Sequence, residues 1–248
     1  MNARQNLEAS ATATDPADQS LGSLAVQLPG ATAIFRKLKL DFCCGGQISL
    51  RQAAQDKNLD LAAIVGQLAA LQRPDSLPEN VAPAALIDHI LTRYHDVHRE
   101  QLPELIRMAR RVQAVHRDHP QVPAGLAEAL EAMHEELLGH MQKEETILFP
   151  LLKSGGHPFV GQPIGMMREE HTSHGQALDQ VHALAHDMQP PEGACNTWRA
   201  LYSGLSQFTD DLISHIHLEN NVLFPAFEAS QTAGCGSQTG HGCGCQPA

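Results

Sequence analysis

Between residues 20 and 72 the apolar positions come in short clusters: Leu24, Val26 and Leu28, then Ile34, Phe35 and Leu38. This spacing predicts short helices ended by Pro29-Gly30 and Gly45-Gly46, with further helices beginning near Ser49 and near Leu59 and stopping before Pro74. Residues 73–83, RPDSLPENVAP, hold three prolines and few large apolar side chains, which is linker composition. Four long stretches of helical periodicity come next, at about 84–116, 123–153, 164–188 and 195–227. A kink is expected at Pro103, and Pro123 is placed to open the second helix from its first turn. Gly155-Gly156 with Pro158, and then Pro190-Pro191, break the chain between helices. Short connections between helices of this length predict an up-down-up-down antiparallel bundle over 84–229. The fold class is therefore all-α, a small helical N-terminal domain (20–72) ahead of a four-helix bundle. Residues 1–19 are expected to be a disordered lead, and 230–248 a flexible glycine- and cysteine-rich tail.

The polar positions that interrupt the bundle's apolar stripes repeat. His140, Glu144 and Leu148-Phe149-Pro150 recur at the same offsets as His215, Glu219 and Leu223-Phe224-Pro225. Another histidine precedes each set, His95 by 45 residues and His171 by 44. On a helix, residues three, four, seven and eleven apart share a face. His95 then sides with Leu91, Leu102 and Ile106; His140 with Met133, Leu137, Glu144 and Ile147. His171 sides with Ile164, Met167 and Leu178, and His215 with Phe208, Leu212, Glu219 and Val222. A glutamate on a core-facing stripe is costly to bury ionised without a positive partner. No lysine or arginine occupies these faces, so metal cations are the expected partners. Four imidazoles and two carboxylates suffice for two ions with coordination positions left open.

Composition narrows the rest. The 248-residue chain carries a formal charge of −11, which argues against a nucleic-acid partner. No apolar run is long enough for a membrane span, and the N-terminus lacks the apolar core of a secretory signal. Fifteen histidines stand against two tyrosines and one tryptophan. Six of them need no functional explanation: His89, His116, His119, His157, His182 and His186 read as ordinary surface or core residues. His98, His134, His174 and His217 lie close enough to the proposed ligands to support them by hydrogen bonds. The six cysteines, Cys43-Cys44, Cys195 and Cys235, Cys243 and Cys245, are too unevenly placed for a disulfide scaffold. Reduced thiols in the cytoplasm are expected.

The stretches RYHDVHREQLPEL, HEELLGHMQKEETILFP and HIHLENNVLFP, with ATAIFRKLKLDFCCGG near the start, resemble the Repair of Iron Centers family. Those bacterial di-iron proteins join an ScdA-type N-terminal domain to a hemerythrin-like bundle. The resemblance covers about residues 20–229. It implies iron ligands at His95, His140, Glu144, His171, His215 and Glu219, with Glu144 and Glu219 bridging. It also implies that Glu136 and Glu170 lie near the path to the metals. The tail from Gly234 and the histidine at position 217 are outside the family pattern.

Imidazole and carboxylate donors without thiolate suit iron or manganese, with zinc possible by donor type. The expected cofactor is a pair of iron ions joined by an oxo or hydroxo bridge, able to meet NO or O2. The resemblance implies repair of iron–sulfur clusters damaged by nitric oxide or oxidants, by donating iron to damaged iron–sulfur proteins. Two other readings use the same site: a hemerythrin-like binder or scavenger of NO or O2, and an enzyme reducing NO or nitrite. The chain is expected as a monomer or homodimer. Cys43 and Cys44, ahead of Gly45-Gly46, are expected to sit exposed in a flexible loop and to carry thiol chemistry. Cys235, His241, Cys243 and Cys245 form a second candidate for binding a soft metal.

Overall fold

A computed structural model describes residues 15–28, 31–71 and 82–232. All regular structure among the described residues is helical. The chain divides into two compact units, 1–79 and 80–248.

The first unit holds α1 (Leu21–Gln27), α2 (Ala31–Lys37), α3 (Leu50–Asp56) and α4 (Leu61–Ala69). Three start where a short polar side chain satisfies orphan amides: Ser20 accepts from Ser23 N, Ser49 from Gln52 N, and Asp60 from Ala62 N and Ala63 N. Packing begins before residue 20, because Pro16–Asp18 form a 3-10 turn with Ala17 buried. The segment between α2 and α3 is also firmly held. Gly22 N donates to Gly46 O at 2.8 Å, Leu21 N to Ile48 O at 3.0 Å, and Ser20 pairs with Ser49 in an antiparallel bridge. A Cβ at Gly46 would stand 2.3 Å from Phe42 O, so only glycine fits. The expected flexible loop around Cys43-Cys44 is therefore a pinned corner.

The second unit is built from four long helices. Helix α5 runs through Pro83–Ile90, Leu91–His95 and Asp96–Val115; α6 through Leu126–Lys143, Glu144–Leu148 and Phe149–Lys153. Helix α7 is Gly161–Leu184, and α8 runs through Asn196–Leu218, Glu219–Leu223 and Phe224–Thr232. Helix α5 continues through Pro103. Helix α6 starts at Leu126, after Gly125 with φ 82°, rather than at Pro123. Pro123 instead belongs to the preceding turn, where its carbonyl accepts from Leu126 N. Helix α7 ends at Leu184, short of the expected 188, because His186, Asp187 and Met188 all take positive φ.

Three segments depart from α-geometry in a way that sets the site. Leu91–His95, Glu144–Leu148 and Glu219–Leu223 are π-helical, with Asp96 N, Phe149 N and Phe224 N reaching back to Leu91, Glu144 and Glu219 carbonyls. Each wide turn holds one extra residue and rotates the helix beyond it. Ile147, expected on the inward stripe, is 61% exposed, and Leu148 turns in at 2%. Val222 likewise cedes its inward place to Leu223. The proline of each Leu-Phe-Pro run offers no amide and presses on the preceding turn, which favours the wider helix there. Beyond these turns Leu148, Phe149, Leu223 and Phe224 join Ile87, Ile90, Ile164 and Met167 in an apolar cluster capping one end of the bundle.

Candidate metal centre

The six residues singled out by the repeat are fully buried: His95, Glu144, His171, His215 and Glu219 at 0% exposure and His140 at 1%. They come from all four bundle helices and form two groups. One is His95, Glu144, His215 and Glu219; the other is His140, Glu144, His171 and Glu219. In each group the donor atoms lie within 4.8 Å of one another. Each group thus takes one histidine from each half of the repeat, and the two glutamates belong to both.

The carboxylates straddle the two positions. Glu219 Oε1 lies 3.1 Å from His215 Nε2, and its Oε2 lies 3.0 Å from His171 Nε2. Glu144 Oε2 is 3.4 Å from both His95 Nε2 and His140 Nε2, yet neither Glu144 oxygen accepts a hydrogen bond among the described residues. Burial, then the charge of Glu219, drives the Glu144 carboxyl well above the ordinary range. Glu219 is held well below that range, because His215 and His171 outweigh the opposing effect of its burial.

Outer hydrogen bonds aim the rings inward. His95 Nδ1 meets Glu145 Oε1 at 2.7 Å, and Arg99 holds the same oxygen at 2.6 Å. His140 Nδ1 meets Glu170 Oε2 at 2.9 Å, with Lys143 on the other oxygen. His171 Nδ1 meets Asn220 Oδ1 at 2.9 Å. A ring that donates from Nδ1 presents a bare lone pair at Nε2. The Nε2 atoms of His95 and His215 lie 3.1 Å apart, and those of His140 and His171, whose rings are both braced at Nδ1, nevertheless face each other at the same distance. Two lone pairs at that separation repel unless a cation lies between them. Metal–nitrogen bonds of about 2.1 Å spanning the gap would meet at roughly 95°. The orphaned Glu144 oxygens, the convergent lone pairs and the all-N/O donor set fit a pair of iron-type cations.

The duplication extends beyond the ligands. Phe149 stacks on His95 (5.7 Å, 30°) as Phe224 stacks on His171 (6.1 Å, 3°). Glu145 and Asn220, each one residue past a glutamate shared by both groups, occupy equivalent positions and brace the first histidine of their own half. Sequence reasoning missed this pair, although the repeat offsets mark it. The symmetry breaks at one point. Glu170, which precedes His171, braces His140, whereas Tyr94 precedes His95 and stacks on His215 at 5.4 Å and 5°. His215 Nδ1 is left with no hydrogen-bond partner among the described residues.

Other expected site residues are distributed unevenly. Glu136 is exposed rather than sharing the buried face of His140, whereas Glu170 contacts that ring directly. Of the four neighbouring histidines, His98 packs on His215 (5.4 Å) and His174 on His140 (4.9 Å). They stand three residues after His95 and His171, a second duplicated spacing that the ligand pattern alone does not bring out. His217 pairs with Asn221, and His134 is half-buried. Cys235, His241, Cys243 and Cys245 lie outside the described residues.

His98 and His174 make the unit's stability depend on pH. Burial, with neighbouring imidazoles, pushes His98 down to about 2 and His174 down to about 4. Unfolded, each would take a proton near 6.5. The unfolded state therefore binds more protons, and stability is lost as pH falls below 6.5, down to about 4 for His174 and about 2 for His98. Each contributes a slope of up to about 1.4 kcal/mol per pH unit. Urea unfolding of chelator-treated protein between pH 6.5 and 4 should show this fall, and His98→Phe should flatten it by about that slope. An unchanged slope in that variant would refute the assignment.

The comparisons with known proteins agree with this architecture. A Hemerythrin HHE cation binding domain matches residues 86–227, and the ScdA_N domain, described as a Domain of Unknown function (DUF542), matches 17–72. The bundle is thus of the hemerythrin HHE class. An iron-sulfur cluster repair protein YtfE of Dickeya chrysanthemi is 51% identical over 211 residues, 84% of this chain and 96% of the relative. The protein of the same name from Yersinia pseudotuberculosis is 52% identical over 214 residues, 85% of this chain and 97% of the relative. The chain belongs to the Repair of Iron Centers family.

Proposed function

We propose that this protein repairs damaged iron–sulfur clusters by donating iron held between its paired histidines and bridging glutamates. The observation that carries the metal reading is Glu144, fully buried and with neither oxygen hydrogen-bonded among the described residues, between two converging imidazole pairs. The repair reading rests on relatives about half identical across nearly their whole length, both domains included. That correspondence favours repair over simple NO or O2 binding, for which the bundle alone would suffice.

Bound iron would supply both the cargo and a redox-active pair that can engage NO or O2. The chain's own residues do the rest. Glu145, Glu170 and Asn220 fix the tautomers and directions of three ligand rings, and Phe149 and Phe224 seal the side facing the apolar cap. Glu170, 26% exposed with one oxygen on His140 and the other on Lys143, links the buried ligands to the surface and marks an exit for iron. The clients are damaged iron–sulfur proteins, and the working compartment is the cytoplasm. No helix among the described residues is long and apolar enough to cross a membrane.

The test is transfer of labelled iron from the full chain to an iron–sulfur protein whose cluster has been destroyed by NO. Cluster activity should return with the label in the client. His140→Ala, which removes a donor from one of the two positions, should lower transfer, and Cys43→Ala with Cys44→Ala should block repair while leaving iron content and NO binding intact. Repair at full rate by the His140 variant would overturn the proposal.

A further inference from the structure

The pinned corner of the first unit brings together three donors that belong to none of the bundle helices. Asp41, Cys43 and Cys44 each offer one atom, and these lie within 4.8 Å of one another. Cys43 Sγ is 3.6 Å from Cys44 Sγ and 3.3 Å from Asp41 Oδ1. The carboxylate is itself held by the backbone: Cys43 N and Cys44 N donate to Oδ1 at 3.1 and 2.9 Å, and Gly45 N to Oδ2 at 2.9 Å. The corner cannot relax easily, because Gly46 is locked against Phe42 and Gly22. Both cysteines are half-buried and Asp41 is exposed, so the group is supported from beneath and open above.

We infer that Asp41, Cys43 and Cys44 form a second metal site, distinct from the bundle centre, that takes one thiophilic divalent first-row cation and leaves its fourth position open. The sulfur spacing carries the argument. Two metal–sulfur bonds of about 2.3 Å spanning 3.6 Å enclose roughly 103°, close to the tetrahedral angle that divalent thiolate sites adopt. Adjacent cysteines in an extended chain would point their thiols apart; here the turn around Asp41 brings them to one side. The rival role, a reactive redox thiol, needs an electropositive setting that stabilises thiolate. Cys43 has the reverse, a carboxylate oxygen of Asp41 lying 3.3 Å from its sulfur. A dication supplies the missing positive charge. Binding displaces the two thiol protons to solvent and transfers no electrons, leaving a site of net charge −1 with the carboxylate. An open fourth position suits exchange of the ion with an incoming thiolate, as loading or unloading would require. The inference does not depend on the cluster-repair reading.

Cadmium(II) is a spectroscopic probe for such a site, since thiolate-to-metal charge transfer absorbs in the ultraviolet where N/O ligation does not. The full, iron-loaded chain should be titrated with Cd(II) beside three variants: Cys43→Ser with Cys44→Ser, Asp41→Asn, and Cys235→Ser with Cys243→Ser and Cys245→Ser. Asp41→Asn keeps one oxygen for the Cys43 and Cys44 amides. Iron content, measured in parallel, should stay constant in all four, which separates this site from the bundle centre. The first equivalent should give the thiolate band in the parent chain and in the tail variant. It should be absent from the Cys43/Cys44 variant and need about tenfold more cadmium in Asp41→Asn. A first-equivalent band that survives in the Cys43/Cys44 variant, or disappears with the tail cysteines, overturns the assignment. Unchanged affinity in Asp41→Asn removes the third donor and with it the site as drawn.

Discussion

Replacing either Glu144 or Glu219 by alanine is expected to empty both metal positions, not one. Each carboxylate belongs to both donor groups, so its loss leaves four imidazoles, two at each position, and a single shared carboxylate for two cations. Bound iron should fall from about two ions per chain to well below one, and the bundle should lose stability, because a cation bound only by the folded state stabilises it. Removing a histidine is less severe, since His95 and His215 serve one group and His140 and His171 the other. Glu144→Gln should behave like the alanine variant, as it keeps the shape but not the charge. His186→Ala, remote from the donors, should keep its iron. Elemental analysis of the purified variants checks this; full retention in Glu144→Ala would contradict the shared geometry.

The second large effect is expected in the order of metal removal. At the position served by His140 and His171, Glu170 and Asn220 brace both rings. At the other, Glu145 braces His95, while Tyr94 stacks on His215 and leaves its Nδ1 without an acceptor among the described residues. Losing such an outer partner costs about 10–100-fold in metal affinity. Stopped-flow chelation should therefore proceed in two phases of equal amplitude, with rates about tenfold or more apart. Glu170→Ala, which frees the His140 ring, should bring the phases together. A single phase in the parent chain, or separated phases persisting in Glu170→Ala, would show that these braces do not set iron lability.

Much of the centre was legible because a duplicated pattern is hard to produce by chance. The offsets His140–Glu144 and His215–Glu219, on stripes otherwise apolar, select all six buried residues that the fold brings together. What the offsets could not reveal was register. Ile147 and Val222 satisfy an α-helical face, yet the π-turns at Glu144 and Glu219 turn Leu148 and Leu223 inward instead. That wide turn is a local response to proline and packing, and simple 3.6-residue periodicity does not contain it. The exchange of histidines between halves was equally hidden, since it depends on helix docking. Glu136, which the resemblance put near the path to the metals, is exposed, while Glu145 was overlooked although its position repeats at Asn220. In the first unit, glycines after Cys43-Cys44 read as flexibility. The fold uses Gly46 for the opposite purpose, a backbone contact too close for any side chain.

The account turns on two cations sharing two buried glutamates. Iron and protein quantified together on chains purified from iron-replete cells, with Mössbauer spectra of the same sample, test this most directly. Two irons per chain, magnetically coupled through their bridge, are the predicted result. One iron per chain, or none, or two uncoupled ions, would contradict it.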